Sequence, residues 1–255
     1  MTGLRFSKTK NGTCIPLPET KRMWTVCFIL GALFWIAALI LWGQQEIDRA
    51  VLFYFNPMRI AGDPIVQLSK WLSSYGLAAI TLIFIIYLAM SKKIKSLDAP
   101  LTIYFYTICS FGISGIAGDL LKFVFSRPRP LTRFESEIYV WSDSTTFAIP
   151  SGHATKSMAL ILPFLLIVSN EKTLHKGLKF LITLIAVGVC ISRIILGAHY
   201  LSDVIAGIGM ALIGLPFSMM FANMVLRKSN QEMLPTLSLV WGFLLIFLTA
   251  VFIIL

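Results

Sequence analysis

Apolar residues along this chain gather into long unbroken runs instead of recurring every second or every third to fourth position. Four runs carry no charge, 24–43, 71–91, 99–118 and 204–226, and a fifth, 234–255, closes the sequence. Two more are apolar but interrupted, 157–169 and 180–198, the second with Arg193 in its last third. A helix needs roughly 20 predominantly apolar residues to cross the hydrocarbon of a bilayer. The uncharged runs meet that length, and 157–169 meets it once its helix is extended back to near His153. Lipid offers the backbone no hydrogen-bonding partner, so all seven spans are expected to be helices. The fold class that follows is all-α, a polytopic membrane helical bundle. It divides into a polar segment over 1–23, a core of six spans over 24–226, and a loop with an extra C-terminal transmembrane helix over 227–255. Within the polar stretch between the first two spans, 46–55 reads as a short helix lying in the interface. The first run follows 23 mostly polar residues and lacks a small-residue cleavage pattern, so it reads as a span and not as a removable leader.

Composition narrows the class. Of 255 residues 57% are hydrophobic and 13% charged, against about 45–50% and 25% in soluble domains. A water-soluble chain built this way would expose large apolar patches, which excludes a soluble globular domain, a disordered chain and a coiled coil. The four cysteines, Cys14, Cys27, Cys109 and Cys190, show no paired spacing for a disulfide framework or a zinc site.

The net charge of +10 suggests either nucleic acid or membrane topology, and its placement decides. Residues 1–23 and the loops after spans two, four and six hold 13 of the 22 Lys and Arg but 4 of the 12 acids. The positive-inside rule makes that side cytoplasmic, so the charge is an orientation signal and no nucleic-acid partner is expected. The reading is a multi-pass protein of a bacterial inner membrane with a cytoplasmic N-terminus. One group of cations breaks the pattern. Lys122, Arg127, Arg129, Arg133 and Lys156 crowd a single outward connection, and Arg193 lies near the outer end of its span.

Four of these six cations belong to three short segments at the outer helix ends, and Arg133 and Lys156 lie just beyond them. The first runs from Lys122 to Arg127-Pro128-Arg129-Pro130, the second is Pro150-Ser151-Gly152-His153, and the third carries Ser192, Arg193, Gly197, His199 and Asp203. Together they are the parts of a phosphate site. Lys and Arg offer charge and forked donors to a tetrahedral oxyanion. Ser151 at a helix start and Gly152 beside it let backbone N–H groups and the positive helix end approach a ligand. His199 and Asp203, four apart, sit on one helical face, where the carboxylate can fix the imidazole tautomer and leave the other nitrogen as a nucleophile. His153 suits proton donation to a leaving group. Each residue alone has a structural reading: snorkelling lysines, a stop-transfer flank, interface histidines, an Arg193–Asp203 ion pair. These readings do not explain why two of three histidines and four of the nine outward cations share three short segments on one membrane face.

In order and internal spacing the segments resemble the tripartite signature of the type 2 phosphatidic acid phosphatase (PAP2) superfamily, which includes the vanadium haloperoxidases. The matches are KxxxxxxRP over 122–130, PSGH over 150–153 and SRxxxGxHxxxD over 192–203. The resemblance implies a six-helix core and, since the haloperoxidases are soluble, the membrane lipid phosphate phosphatase branch. It implies a two-step, metal-independent reaction without cofactors: His199 takes the phosphoryl group, Asp203 orients it, and His153 protonates the leaving group and then activates water. Lys122, Arg129, Ser151, the Gly152 N–H and Arg193 would hold the non-bridging oxygens. Candidate substrates are undecaprenyl pyrophosphate, phosphatidylglycerophosphate, the 1-phosphate of lipid A and phosphatidic acid, acted on at the outer or periplasmic face. A lipid-to-lipid phosphotransferase using the same site, or a non-catalytic transporter or scaffold, are the alternatives. Three features depart from the simplest pattern. They are the seventh span, the doubled Arg-Pro in which Arg127 is an accessory candidate for part of Arg129's role, and Glu135, Glu137 and Asp143 in the following connection. No oligomeric state follows from these residues.

Overall fold

The computed structural model describes residues 6–8, 14–16, 20–56, 62–91, 102–134, 137–141, 146–168 and 173–228. Its helices are α1 (Thr20–Gly43), α2 (Gln45–Phe55), α3 (Pro64–Ser91), α4 (Thr102–Phe125), α5 (Leu131–Phe134), α6 (Gly152–Ile167), α7 (Thr173–Ile195) and α8 (Leu201–Lys228). A small antiparallel hairpin, β1 (Phe6–Lys8) with β2 (Cys14–Pro16), precedes α1. The apolar pattern does not announce it, because three-residue strands are too short to show a period. The expected seventh span, 234–255, lies outside the described residues.

Five helices, α1, α3, α4, α7 and α8, are long and apolar enough to cross a membrane. The sixth core helix, α6, starts at Gly152, where the sequence places it, yet has only 16 residues. At 1.5 Å per residue it measures about 24 Å, short of a roughly 30 Å hydrocarbon layer. Its far end is completed by a neighbour: Lys179 Nζ, from α7, donates to the carbonyls of Leu165 at 2.7 Å and Val168 at 2.6 Å. These are last-turn acceptors that no residue of α6 itself can satisfy.

The pairing of helices is simple. α1 lies along α8, α3 along α7, and α4, α6 and α8 pack mutually. α1 shows how the sequence sorts its faces. Ile29, Leu33, Ile36 and Ile40 form one exposed stripe at helical spacing, while Cys27 and Ala38 are buried on another. In water such a stripe would aggregate; against acyl chains it is the ordinary outer surface. Among the glycines of the spans, Gly209 meets the Gly31 carbonyl and Gly214 meets Ser114, whereas Gly112 faces no neighbour among the described residues. A large apolar core around Tyr106, Leu160, Ile161, Phe164 and Leu215 fills the half of the bundle that holds the start of α4 and the end of α6. A smaller one around Leu52, Ile194, Tyr200 and Val204 lies at the opposite end.

That opposite end is where the three sequence segments meet. The last turns of α4 and α7 and the first turns of α6 and α8 all arrive there. α4 runs past 118 to Phe125 because Asp119 and Lys122, one turn apart, pair at 2.8 Å and carry the helix through its charges. The expected interfacial helix is α2, and it turns Asp48 and Leu52 into the protein.

Candidate active site

The corner between α7 and α8 positions the histidine. α7 closes on Gly197, whose φ of +66° is left-handed. A Cβ there would stand 2.6 Å from the Tyr139 carbonyl and 2.8 Å from Asn56 Nδ2. Asn56 in turn clamps Tyr139 by both main-chain groups, at 2.6 and 2.9 Å. Only glycine combines that backbone with that proximity. The N–H groups of Ala198 and His199 return to the Arg193 carbonyl at 3.0 and 3.2 Å, and α8 starts at Leu201. Asp203 Oδ2 accepts the Tyr200 N–H at 2.9 Å, a reach from the third helical position back to the cap. His199 therefore stands before α8, not on a common helical face with Asp203 as the spacing suggested. The spacing of four still brings them together, because the turn supplies the approach that a helix would have supplied.

His199 is 1% exposed. Its Nδ1 lies 3.4 Å from Asp203 Oδ2, an ion-pair distance at which the ring is not yet aligned for a hydrogen bond. Its Nε2 lies 3.4 Å from Arg129 Nη1. Arg129 is fixed by the Thr146 carbonyl and hydroxyl, both at 2.7 Å, and by the Ala198 carbonyl at 3.3 Å. Burial first, then the charges of Arg129, Arg193, Lys122 and the neighbouring His153, hold the His199 pKa well below the usual imidazole range. A neutral, nucleophilic ring at neutral pH is the consequence. Replacing Arg129 with Gln removes the largest of these charge contributions and favours the imidazolium. The His199 pKa then rises, and the acid limb of the kcat/KM profile shifts to higher pH. A limb that stays put, or moves to lower pH, contradicts this assignment.

Other sequence-derived residues close around the same point. Lys122 Nζ stands 3.2 Å from where a Cβ on Gly152 would be, so glycine admits the ammonium to the start of α6. Gly152→Ala displaces the flexible end of the lysine, not the backbone. The expected result is a folded protein with kcat/KM lowered about 10-fold, checked by kinetics alongside thermal unfolding. Ser151 occupies the N-cap position of α6 with a fully buried side chain, and its N–H donates to the Asp203 carbonyl at 2.9 Å. Its hydroxyl caps nothing and has no partner, which leaves it for a ligand. Arg193, 4% exposed, donates from Nη1 to Ser73 Oγ of α3, while its Nε has no partner. His153 sits half-buried in the first turn of α6.

Arg127 is the residue whose place the sequence misjudged. Only 5% exposed, it donates from Nη1 to Asp203 Oδ1 at 2.5 Å and from Nη2 to Asp48 Oδ2 at 2.8 Å. It braces the far side of Asp203, so it does not share Arg129's place at His199 Nε2, and the ion partner of Asp203 is Arg127, not Arg193. Of the three acids after the first segment, Glu137 pairs with Arg49 at 3.6 Å, and Glu135 and Asp143 lie outside the described residues. Four contributors escaped sequence reasoning: Asp48, Ser73, Asp119 and Thr146. Asp119 Oδ1 and Oδ2 hold Lys122 at 2.8 Å and Lys156 at 3.1 Å. An acid one residue beyond an uncharged run was the signal for it; Ser73 and Thr146 had none.

A model of the PAP2 superfamily matches residues 100–227, which contain all three segments. An undecaprenyl-diphosphatase of Sulfolobus acidocaldarius is 28% identical over 191 residues, covering 71% of this chain and 83% of that protein. The crystal structure of a transmembrane PAP2 type phosphatidylglycerolphosphate phosphatase from Bacillus subtilis superposes with a TM-score of 0.58 at 23% identity, covering 78% of this chain and 96% of that one, which shows a shared fold. With the family model spanning half the chain and the helical bundle in place, the protein belongs to the PAP2 superfamily and is an integral membrane phosphatase.

Proposed function

We propose that this protein removes phosphate from a membrane lipid at the outer face of the membrane, through a phosphohistidine on His199. One observation carries the reading: the buried His199 ring lies between a carboxylate at Nδ1 and a guanidinium at Nε2, each at 3.4 Å. Asp203 fixes the tautomer with the proton on Nδ1. The lone pair of Nε2 forms the bond to phosphorus as the bond to the leaving oxygen breaks, and His153 gives that oxygen its proton. In the second step His153 takes a proton from water, the water oxygen bonds to phosphorus, and the Nε2–P bond breaks to release phosphate. Lys122, Arg129, Arg193, the Ser151 hydroxyl and the Gly152 N–H stabilise the charge on the non-bridging oxygens, the main requirement of phosphoryl transfer.

The Sulfolobus relative supports a polyprenyl diphosphate as substrate. Phosphatidylglycerophosphate, the 1-phosphate of lipid A and phosphatidic acid are the other members of the class. The lysines and arginines of residues 1–23 and the alternate loops support a cytoplasmic N-terminus and an outward site on the 24–226 core, with the lipid tail entering laterally.

The test uses purified protein in EDTA and a panel of these lipids labelled in the phosphate. Phosphate release, with a phosphoryl-enzyme stable in base and labile in acid, is the expected result. Release that requires added metal, or turnover with a base-labile or no phosphoryl-enzyme, overturns the mechanism. No release from any lipid overturns the function.

A further inference from the structure

The proposed nucleophile rests on a carboxylate that lies outside all three sequence segments. We propose that Asp48, on α2, is a positioning residue for His199, acting through Arg127, Ser202 and Asp203; the inference rests on the phosphohistidine reading above. Asp48 is 1% exposed, and both of its oxygens are engaged. Oδ1 accepts the Ser202 N–H at 3.0 Å, and Oδ2 accepts Arg127 Nη2 at 2.8 Å and the Ser202 hydroxyl. Arg127 Nη1 donates onward to Ser202 Oγ at 2.6 Å and to Asp203 Oδ1 at 2.5 Å. The guanidinium also lies against two rings, its carbon 4.2 Å from the centroid of Tyr200 and 5.3 Å from that of Trp42. Arg127 is thus held by two carboxylates and packed by two aromatics.

That position decides what Asp203 can do. With Oδ1 committed to Arg127, Oδ2 is the oxygen turned toward the Tyr200 N–H and His199 Nδ1. A single cation bonded to Asp203 alone would draw off the negative charge that the imidazolium-like transition state needs. Asp48 divides the guanidinium between two carboxylates, so the trio of Asp48, Arg127 and Asp203 keeps a net charge of about −1 beside the histidine. Asp48 also holds the first turn of α8 by the Ser202 N–H, the turn that carries Asp203. It touches neither Arg129, Lys122 nor Arg193 by any bond described, so its effect belongs to the nucleophile and not to phosphate binding.

The experiment is Asp48→Asn, alone and combined with Asp203→Asn, assayed on the lipid the wild type turns over. The expected result is kcat lowered on the order of 10–100-fold with KM within about 2-fold, thermal unfolding close to wild type, and no further loss when added to Asp203→Asn. A kcat within 2-fold of wild type, or a loss that multiplies with that of Asp203→Asn, overturns the proposal. If Asp48→Asn does not fold, Arg127→Lys reads the same connection, since lysine keeps the charge but cannot fork between two carboxylates, and the same outcomes apply. A second readout does not depend on turnover. The chain has three histidines, so ring nitrogen and Nδ1 proton resonances can be assigned by single replacements. Asp48→Asn should shift or broaden the His199 Nδ1 proton signal while leaving His153 unchanged. An unchanged His199 signal overturns the positioning role even where the phosphatase reading fails on every lipid, and a changed signal without turnover overturns only that reading.

Discussion

His199→Ala is expected to lower kcat on the order of 10⁴-fold or more and to leave no phosphoryl-enzyme to trap. The reason is geometric as well as chemical. Nothing else bonded at Arg129 Nη1 is nucleophilic: its other acceptor there is the Ala198 carbonyl. Because His199 is buried at a helix corner, His199→Gln should accompany the alanine variant. It keeps a polar group opposite Arg129, and an equal loss of turnover in both separates lost chemistry from lost packing. His153→Ala provides the contrast. A general acid contributes about 10²–10⁴-fold, and its importance depends on the leaving group. A lipid alkoxide needs the proton far more than a phosphate leaving from a diphosphate does. The His153→Ala loss should therefore be larger on a monoester than on a diphosphate, whereas the His199→Ala loss should be the same on both. Single-turnover kinetics with the two substrates reads the difference directly.

Asp203→Asn should come close behind, at roughly 10³–10⁴-fold in kcat, the size produced when the orienting carboxylate of a catalytic triad becomes an amide. The side chain is fully buried and serves three partners: Arg127, the Tyr200 N–H and His199. Asparagine preserves the shape and the acceptor oxygen but presents an NH₂ group toward one of them, favouring the tautomer with the proton on Nε2. Asp203→Ala adds a stability loss of about 1–3 kcal/mol, because it leaves the buried Arg127 Nη1 and Tyr200 N–H without the acceptor oxygen that asparagine keeps. Thermal unfolding of the two variants side by side distinguishes them. Asparagine should be slow and nearly as stable as wild type; alanine should be slow and visibly less stable.

Much of this site was legible without coordinates because its chemistry is local in sequence. Ser151, Gly152 and His153 are consecutive, and His199 and Asp203 are four apart, so short segments carried both the residue types and the spacing. The six core helices were legible for the same reason: each is one apolar run. What escaped depends on long-range partners. Arg127 and Arg129 look alike on the page, each an arginine before a proline, yet one reaches Asp48, 79 positions away, and the other His199, 70 positions away. The spacing from Lys122 singles out Arg129 by resemblance, but no local pattern gives Arg127 its distant partners. Ser73 is one of several serines and threonines buried in the spans, and only its contact with Arg193 sets it apart. The corner at Gly197 misled for a related reason. A spacing of four fits a helix and also fits a turn that leads into one, and the left-handed glycine made it the second.

The short length of α6 gives the molecule a ruler. One end of that helix presents Ser151, Gly152 and His153; the other is tied at Leu165 and Val168 by Lys179 of α7, the same helix whose far end leads to Arg193 and His199. The separation of the two histidines thus depends on the lengths of two packed helices pinned to each other at one end. One added turn in α6 would move His153 by about 5.4 Å relative to His199, further than any proton could be passed. The count of residues from His153 to Val168 therefore sets where His153 stands.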